Sequence, residues 1–232
     1  MKKFNFLKAR KDGGYTRVFG NKNLGALFSF FHSLTISAGF LLEKIIFEHC
    51  QPFILSDAAL LESFFSNIET LPLHFYVIPK NILKKYSFFN FSVEPDFLIV
   101  NKNERIIYIV ELKDGDAFDT KKSLSEFKNL KNYQNFISAK LPFTTKIKIC
   151  CFNQIEKRKI FTGFKKKFSL EEIWSGKDLC SKLNLNFNLI KTEREKYQEY
   201  YLNHFLDELV KITPIKASLL KKLNFVNKIK KE

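Results

Sequence analysis

The sequence predicts an α/β fold: a central mixed β-sheet flanked by helices, with extra helices at the C-terminal end. Three observations predict it. Two apolar, β-rich runs, 91–100 and 105–113, stand on either side of Asn101-Lys102-Asn103-Glu104, and a short polar connection between such runs reads as a hairpin. Apolar residues at Leu124, Phe127, Leu130 and Ile137 then recur at helical spacing over 120–140. The chain has 232 residues and is 45% hydrophobic, enough for a sizeable core in one domain of ordinary-to-large size.

The remaining elements follow in chain order. Residues 1–23 read as a basic arm punctuated by Gly13-Gly14, and 24–50 as helix broken near Thr35–Gly39. Ser56-Asp57 is a start signal for a helix over 56–69, carrying Leu60, Leu61, Phe64 and Phe65. Strands are expected at 73–78, 145–152 and 158–168. Ser169-Leu170-Glu171-Glu172 fits a capping box that opens a helix to Leu183. A long helix over 192–212 is separated by Pro214 from a last one over 215–231. The expected organisation is an arm (1–23), a core (24–190) and a helical basic extension of the same domain (191–232). Runs of strand and helix in this order argue a mixed sheet with flanking helices.

Lys plus Arg number 39 against 24 acidic residues, a net charge of +15, which favours a polyanionic partner. The four cysteines include no C-x-x-C pair, so neither structural zinc nor a disulfide framework is expected, and a cytoplasmic protein with reduced thiols is. The stretch 24–42 carries no formal charge over 19 residues and so reaches the membrane threshold. It also contains His32, Ser29, Ser33, Thr35 and Ser37, and is read as two buried helical pieces with no membrane partner. No Gly-rich phosphate loop, Gly-x-Ser-x-Gly or His-Glu-x-x-His is present.

The chemistry concentrates in the hairpin. If Val100 faces Arg105, Asp96 faces Ile109 and Glu94 faces Glu111. Side chains alternate along a strand, so Asp96, Glu111 and Lys113 share a face, with Asp96 a diagonal neighbour of Glu111. The apolar run Ile106-Ile107-Tyr108-Ile109-Val110 leads straight into Glu111, which puts charge at the edge of a buried strand. Two desolvated carboxylates repel and raise at least one pKa. A divalent cation removes the conflict, and hard oxygen donors suit magnesium, with manganese as an alternative.

Glu94-Pro95-Asp96, fourteen intervening residues, then Glu111-Leu112-Lys113 resembles the signature of the PD-(D/E)xK nuclease superfamily. Ser37-Ala38-Gly39-Phe40-Leu41-Leu42-Glu43 is similar to the first-helix motif of many type II restriction endonucleases, which places Glu43, with Glu62 as rival, beside the metal. The resemblance covers roughly residues 36–152. It implies a restriction-endonuclease-like core in which Asp96, Glu111 and the Leu112 carbonyl hold the ion. Lys113 would orient or deprotonate the attacking water. Lys121 and Lys122, after the motif, would meet DNA phosphate at a helix N-terminus. Gln134 lies on the helix where related nucleases place a Gln or Tyr near the site.

The implied activity is magnesium-dependent phosphodiester hydrolysis at specific sites in double-stranded DNA. The implied form is a homodimer working beside a cognate DNA methyltransferase. A repair or junction-resolving nuclease of the same fold is the alternative within the class. A non-catalytic DNA-binding module and a membrane-associated basic protein are the alternatives outside it.

Overall fold

The computed structural model describes residues 14–50, 54, 55, 64, 65, 68, 71–115 and 122–229. It divides into two compact units, Glu43–Ile190 and Met1–Leu42 with Lys191–Glu232. Residues 22–42 of the long helix Lys22–His49 therefore group with the C-terminal helices.

The unit Glu43–Ile190 is built on five strands: β1 (Phe75–Pro79), β2 (Phe97–Asn101), β3 (Ile106–Lys113), β4 (Thr144–Cys151) and β5 (Ile173–Ser175), in the order β1-β2-β3-β4-β5. β1 and β3 both run antiparallel to β2, and β4 and β5 continue parallel to β3. The sheet is mixed, as the sequence predicts. β2 and β3 form the expected hairpin, but its register is Val100 with Ile107 and Phe97 with Val110. This departs by two residues from the expected pairing of Val100 with Arg105. Arg105 sits at φ 51° in a turn that the Asn101 side chain closes by accepting from the Glu104 N–H at 3.0 Å, so it is loop and not strand. A slip of two preserves which face each side chain takes, whereas a slip of one would invert it.

One sheet face carries Leu98, Val100, Ile107, Ile109, Ile147, Ile149 and Ile173, all buried in one cluster with Leu130, Tyr133 and Ile137. The last three come from the helix Ser123–Ser138, so this helix covers that face. Each such aliphatic side chain contributes roughly 1.5–3 kcal/mol on burial. The Tyr133 hydroxyl donates to the Phe89 carbonyl at 3.1 Å, which satisfies its polar end inside the core.

Two expectations for the second half are corrected. Residues 158–168 hold no strand: Lys157–Gly163 is a short helix whose buried side chain is Ile160. The capping box at Ser169 and Glu172 is present, but it opens only the 3-10 turn Leu170–Glu172. Strand β5 follows at once, and a second box, Ser175 with Asp178, opens the helix Gly176–Lys182. A side chain at Gly176 would collide with the Phe152 carbonyl, so the tight passage from β5 into this helix requires glycine.

In the other unit, Leu24 and Leu27 of the helix Lys22–His49 cluster with Ile212, Phe28, Phe31, Phe205, Leu209 and Ile215. The Phe31 and Phe205 rings meet edge to face at 4.9 Å. Residues 191–211 of the helix Phe187–Lys211, and the helix Thr213–Ile229, complete it, divided near Pro214 as expected. Among the described residues no single helix is long and apolar enough to cross a membrane; Lys22–Thr35 and Ser37–His49, bent by 41°, meet that test only together. The expected helix over 56–69 lies largely outside the described residues.

Candidate active site

Strand β2 begins just after Asp96, and β3 ends in Glu111-Leu112-Lys113. With Phe97 opposite Val110, the register continued by one step puts Asp96 opposite Glu111, closer than the expected diagonal. Asp96 is 9% exposed, and its two oxygens have separate tasks. Oδ2 accepts from the Leu112 backbone N–H at 2.8 Å, a bond that locks the carboxylate against β3. Oδ1 meets the Lys80 ammonium at 3.4 Å. The Asp96 carbonyl also accepts from the Lys80 N–H at 2.9 Å, so the end of β1 and the start of β2 are clasped together there.

Glu111 and Lys113 lie two apart on one face. Glu111 Oε1 accepts from Lys113 Nζ at 2.9 Å, and the same ammonium pairs with Glu126 Oε1 at 2.8 Å. Glu126 comes from the first turn of Ser123–Ser138, so the helix that covers the sheet also pins Lys113. Burial pushes the Lys113 pKa down, but Glu111 and Glu126 outweigh it and hold the side chain firmly protonated.

Glu43, on the Lys22–His49 helix, belongs to the same electrostatic group. Burial and then the Asp96 charge raise its pKa to about 7, with Lys80 opposing and Glu111 adding to the rise. Glu111 is likewise raised, first by burial and then by Asp96, against Lys113 and Lys80. Beside these carboxylates opens a small cleft of about 50 Å³, lined among others by Lys80, Glu94, Glu111, Glu126, Asn129 and Tyr133.

Asp96, Glu111, Lys113 and Glu43 are thus brought together. Gln134 is not: its amide donates to the Thr145 carbonyl at 2.7 Å, and Thr145 pairs with Ile107, four residues before Glu111. At ~3.3 Å per strand residue it stands about 13 Å from the carboxylates. There its side chain is bonded to the start of β4, away from Asp96 and Glu111. Lys122 sits at the cap of Ser123–Ser138 and supplies no side-chain cap there. Lys121 and Glu62 lie outside the described residues. Among the described residues a side chain at Gly39 would meet nothing within 4 Å.

Sequence reasoning missed Lys80 and Glu126. The signal for Lys80 is that Val77-Ile78-Pro79 is a second apolar run ending in a charge. Glu126 carries no local signal, because a Glu in a first helical turn is ordinary.

The donor set fits a hard divalent cation. Glu43 and Glu111 have raised pKa values, by burial first and then by the Asp96 charge, and magnesium is typically held through one or two carboxylates together with substrate phosphate. Among the described residues no three acidic, His or Cys groups are already arranged to hold a metal ion; Lys80 and Lys113 stand against Asp96 and Glu111 instead.

The five-stranded mixed sheet flanked by helices has a restriction-endonuclease-like α/β fold, with carboxylates and lysines gathered at the ends of its inner strands. The chain is 37% identical over 227 residues to the type II restriction enzyme HhaII of Haemophilus parahaemolyticus, covering 95% of this chain and 99% of that one. It belongs to that family and is a type II restriction endonuclease, an endodeoxyribonuclease. No family model matches the chain, and no solved structure does.

Proposed function

We propose that the protein is a PD-(D/E)xK enzyme that hydrolyses phosphodiester bonds at specific sites in double-stranded DNA with magnesium, or manganese in its place. The observation that carries this reading is the convergence of Asp96, Glu111 and Lys113 from neighbouring strands, with Asp96 bonded to the backbone between the other two. Asp96 and Glu111, with the Leu112 carbonyl, are the residues that would hold the ion, and Glu43 is the extra carboxylate beside them. When bound, the ion supplies Lewis acidity at the phosphate and eases ionisation of water.

The chain's own groups do the rest. The Leu112 N–H fixes the Asp96 carboxylate in one orientation. Lys113, kept as an ammonium by Glu111 and Glu126, orients the attacking water and offsets the charge that develops on the phosphate. A firmly protonated lysine is a poor proton acceptor, so orientation is favoured over deprotonation. Glu126 acts through Lys113 and is a positioning residue. Lys121 and Lys122 would contact backbone phosphate, adding sequence-blind, salt-dependent affinity. The enzyme would act in the cytoplasm as a homodimer beside a cognate DNA methyltransferase.

Incubating unmethylated plasmid with the protein and magnesium tests this, with Asp96→Ala and chelator as controls. Discrete fragments that vanish in both controls are the expected result. Cleavage that persists in Asp96→Ala overturns the site.

A further inference from the structure

We propose, building on the function just stated, that Lys80 is a phosphate-binding residue whose ammonium serves as the counter-ion of Asp96 until a divalent cation takes that carboxylate. The two site lysines are held very differently. Lys113 is gripped by two carboxylates, at 2.9 Å and 2.8 Å. Among the described residues Lys80 Nζ meets one carboxylate oxygen, Asp96 Oδ1, at 3.4 Å, and its side chain remains 36% exposed. It also lines the open cleft beside Glu111. Its backbone is anchored independently, by the N–H that donates to the Asp96 carbonyl, so the side chain can leave without disturbing the clasp between β1 and β2.

Competition follows from charge. A cation at Asp96 and an ammonium on the same carboxylate repel one another, and the weaker, more exposed partner yields. The long lysine stem then carries its charge into the cleft, where the anion still to be neutralised is the DNA backbone. Lysine suits that task, since it binds phosphate as a compact point charge. The exchange keeps the carboxylate group compensated before the ion arrives and adds one positive contact to the substrate afterwards.

The test uses the full-length protein with Lys80→Met, Lys80→Arg and Asp96→Ala, each first checked for folding by circular dichroism. Manganese binding is read without DNA by the paramagnetic signal of the free ion. Binding to a plasmid fragment that the wild type cuts is read in calcium over a salt series. Lys80→Met should bind manganese about two- to five-fold tighter, the range of a partly exposed ion pair. Its salt dependence for DNA should fall by about one phosphate contact, while Lys80→Arg stays near wild type in both. Unchanged manganese affinity, or an unchanged salt slope, in a folded Lys80→Met overturns the proposal. Full manganese binding by Asp96→Ala overturns instead the reading of the site on which it rests.

Discussion

Two kinds of lysine–carboxylate group occur in the unit Glu43–Ile190, and they are electrostatic opposites. At the two capping boxes carboxylates are relaxed. Burial pushes the Asp178 pKa up, but the Ser175 hydroxyl, the Ser175 N–H and Lys157 together bring it below the ordinary value. Glu172 behaves likewise, with Lys131 and Ser169 overcoming its burial. At the candidate site the same residue types are strained: Glu43, on its helix, and Glu111, at the end of β3, are raised, by burial first and then by Asp96. The difference is the supply of donors. Each cap carboxylate has backbone or hydroxyl N–H and O–H groups aimed at it, whereas the site gathers carboxylates faster than it gathers donors. Charge at the caps is fully matched by donors, and charge at the candidate site is matched less completely, the pattern expected of a functional site.

The largest way to break this comparison is Asp96→Asn. The amide oxygen still accepts from the Leu112 N–H, so the fold should hold. Cleavage in magnesium should fall by about a thousand-fold or more, the loss of several kcal/mol of transition-state stabilisation. Plasmid cleavage and thermal unfolding check both halves, and an unfolded variant would mean that Asp96 is a structural residue like Asp178.

Next comes pH. The Glu43 pKa is raised in the fold to about 7, so the folded state binds more protons than the unfolded one between the ordinary carboxyl value and about 7. Stability should therefore decline as pH rises through that window in chelator. Glu43→Gln should flatten the decline, as read from thermal midpoints. The caps have the reverse sign. The Asp178 and Glu172 contributions are complete above the ordinary carboxyl range and are lost as pH falls through their lowered values.

Asp178→Ala removes a box and should cost about 1 kcal/mol, a drop of roughly 2–4 °C in midpoint, with cleavage retained. Smallest is Lys131→Met, which deletes a partly exposed pair with Glu172 at 2.8 Å. It should cost about 0.2–1 kcal/mol and leave cleavage unaltered.

How much of this was legible is clearest at particular residues. The common face of Asp96, Glu111 and Lys113 could be read because alternation has period two and survives a two-residue error in register. The error itself came from Arg105, whose left-handed conformation no pattern announces. The three-residue strand β5 was hidden between two capping boxes, and the single buried Ile160 left residues 157–163 without a helical stripe to count.

By itself the sequence determined the hairpin, the side of the sheet on which charge would stand and the C-terminal helices. All of these are local, set by periodicity and by residues a strand's length apart. Only the tertiary structure decided that Lys80 clasps Asp96, that Glu126 pins Lys113 and that Gln134 is turned toward β4. Those meetings join separate elements that only the packing of the chain brings within a few ångströms, and contacts of that kind leave no period in the sequence.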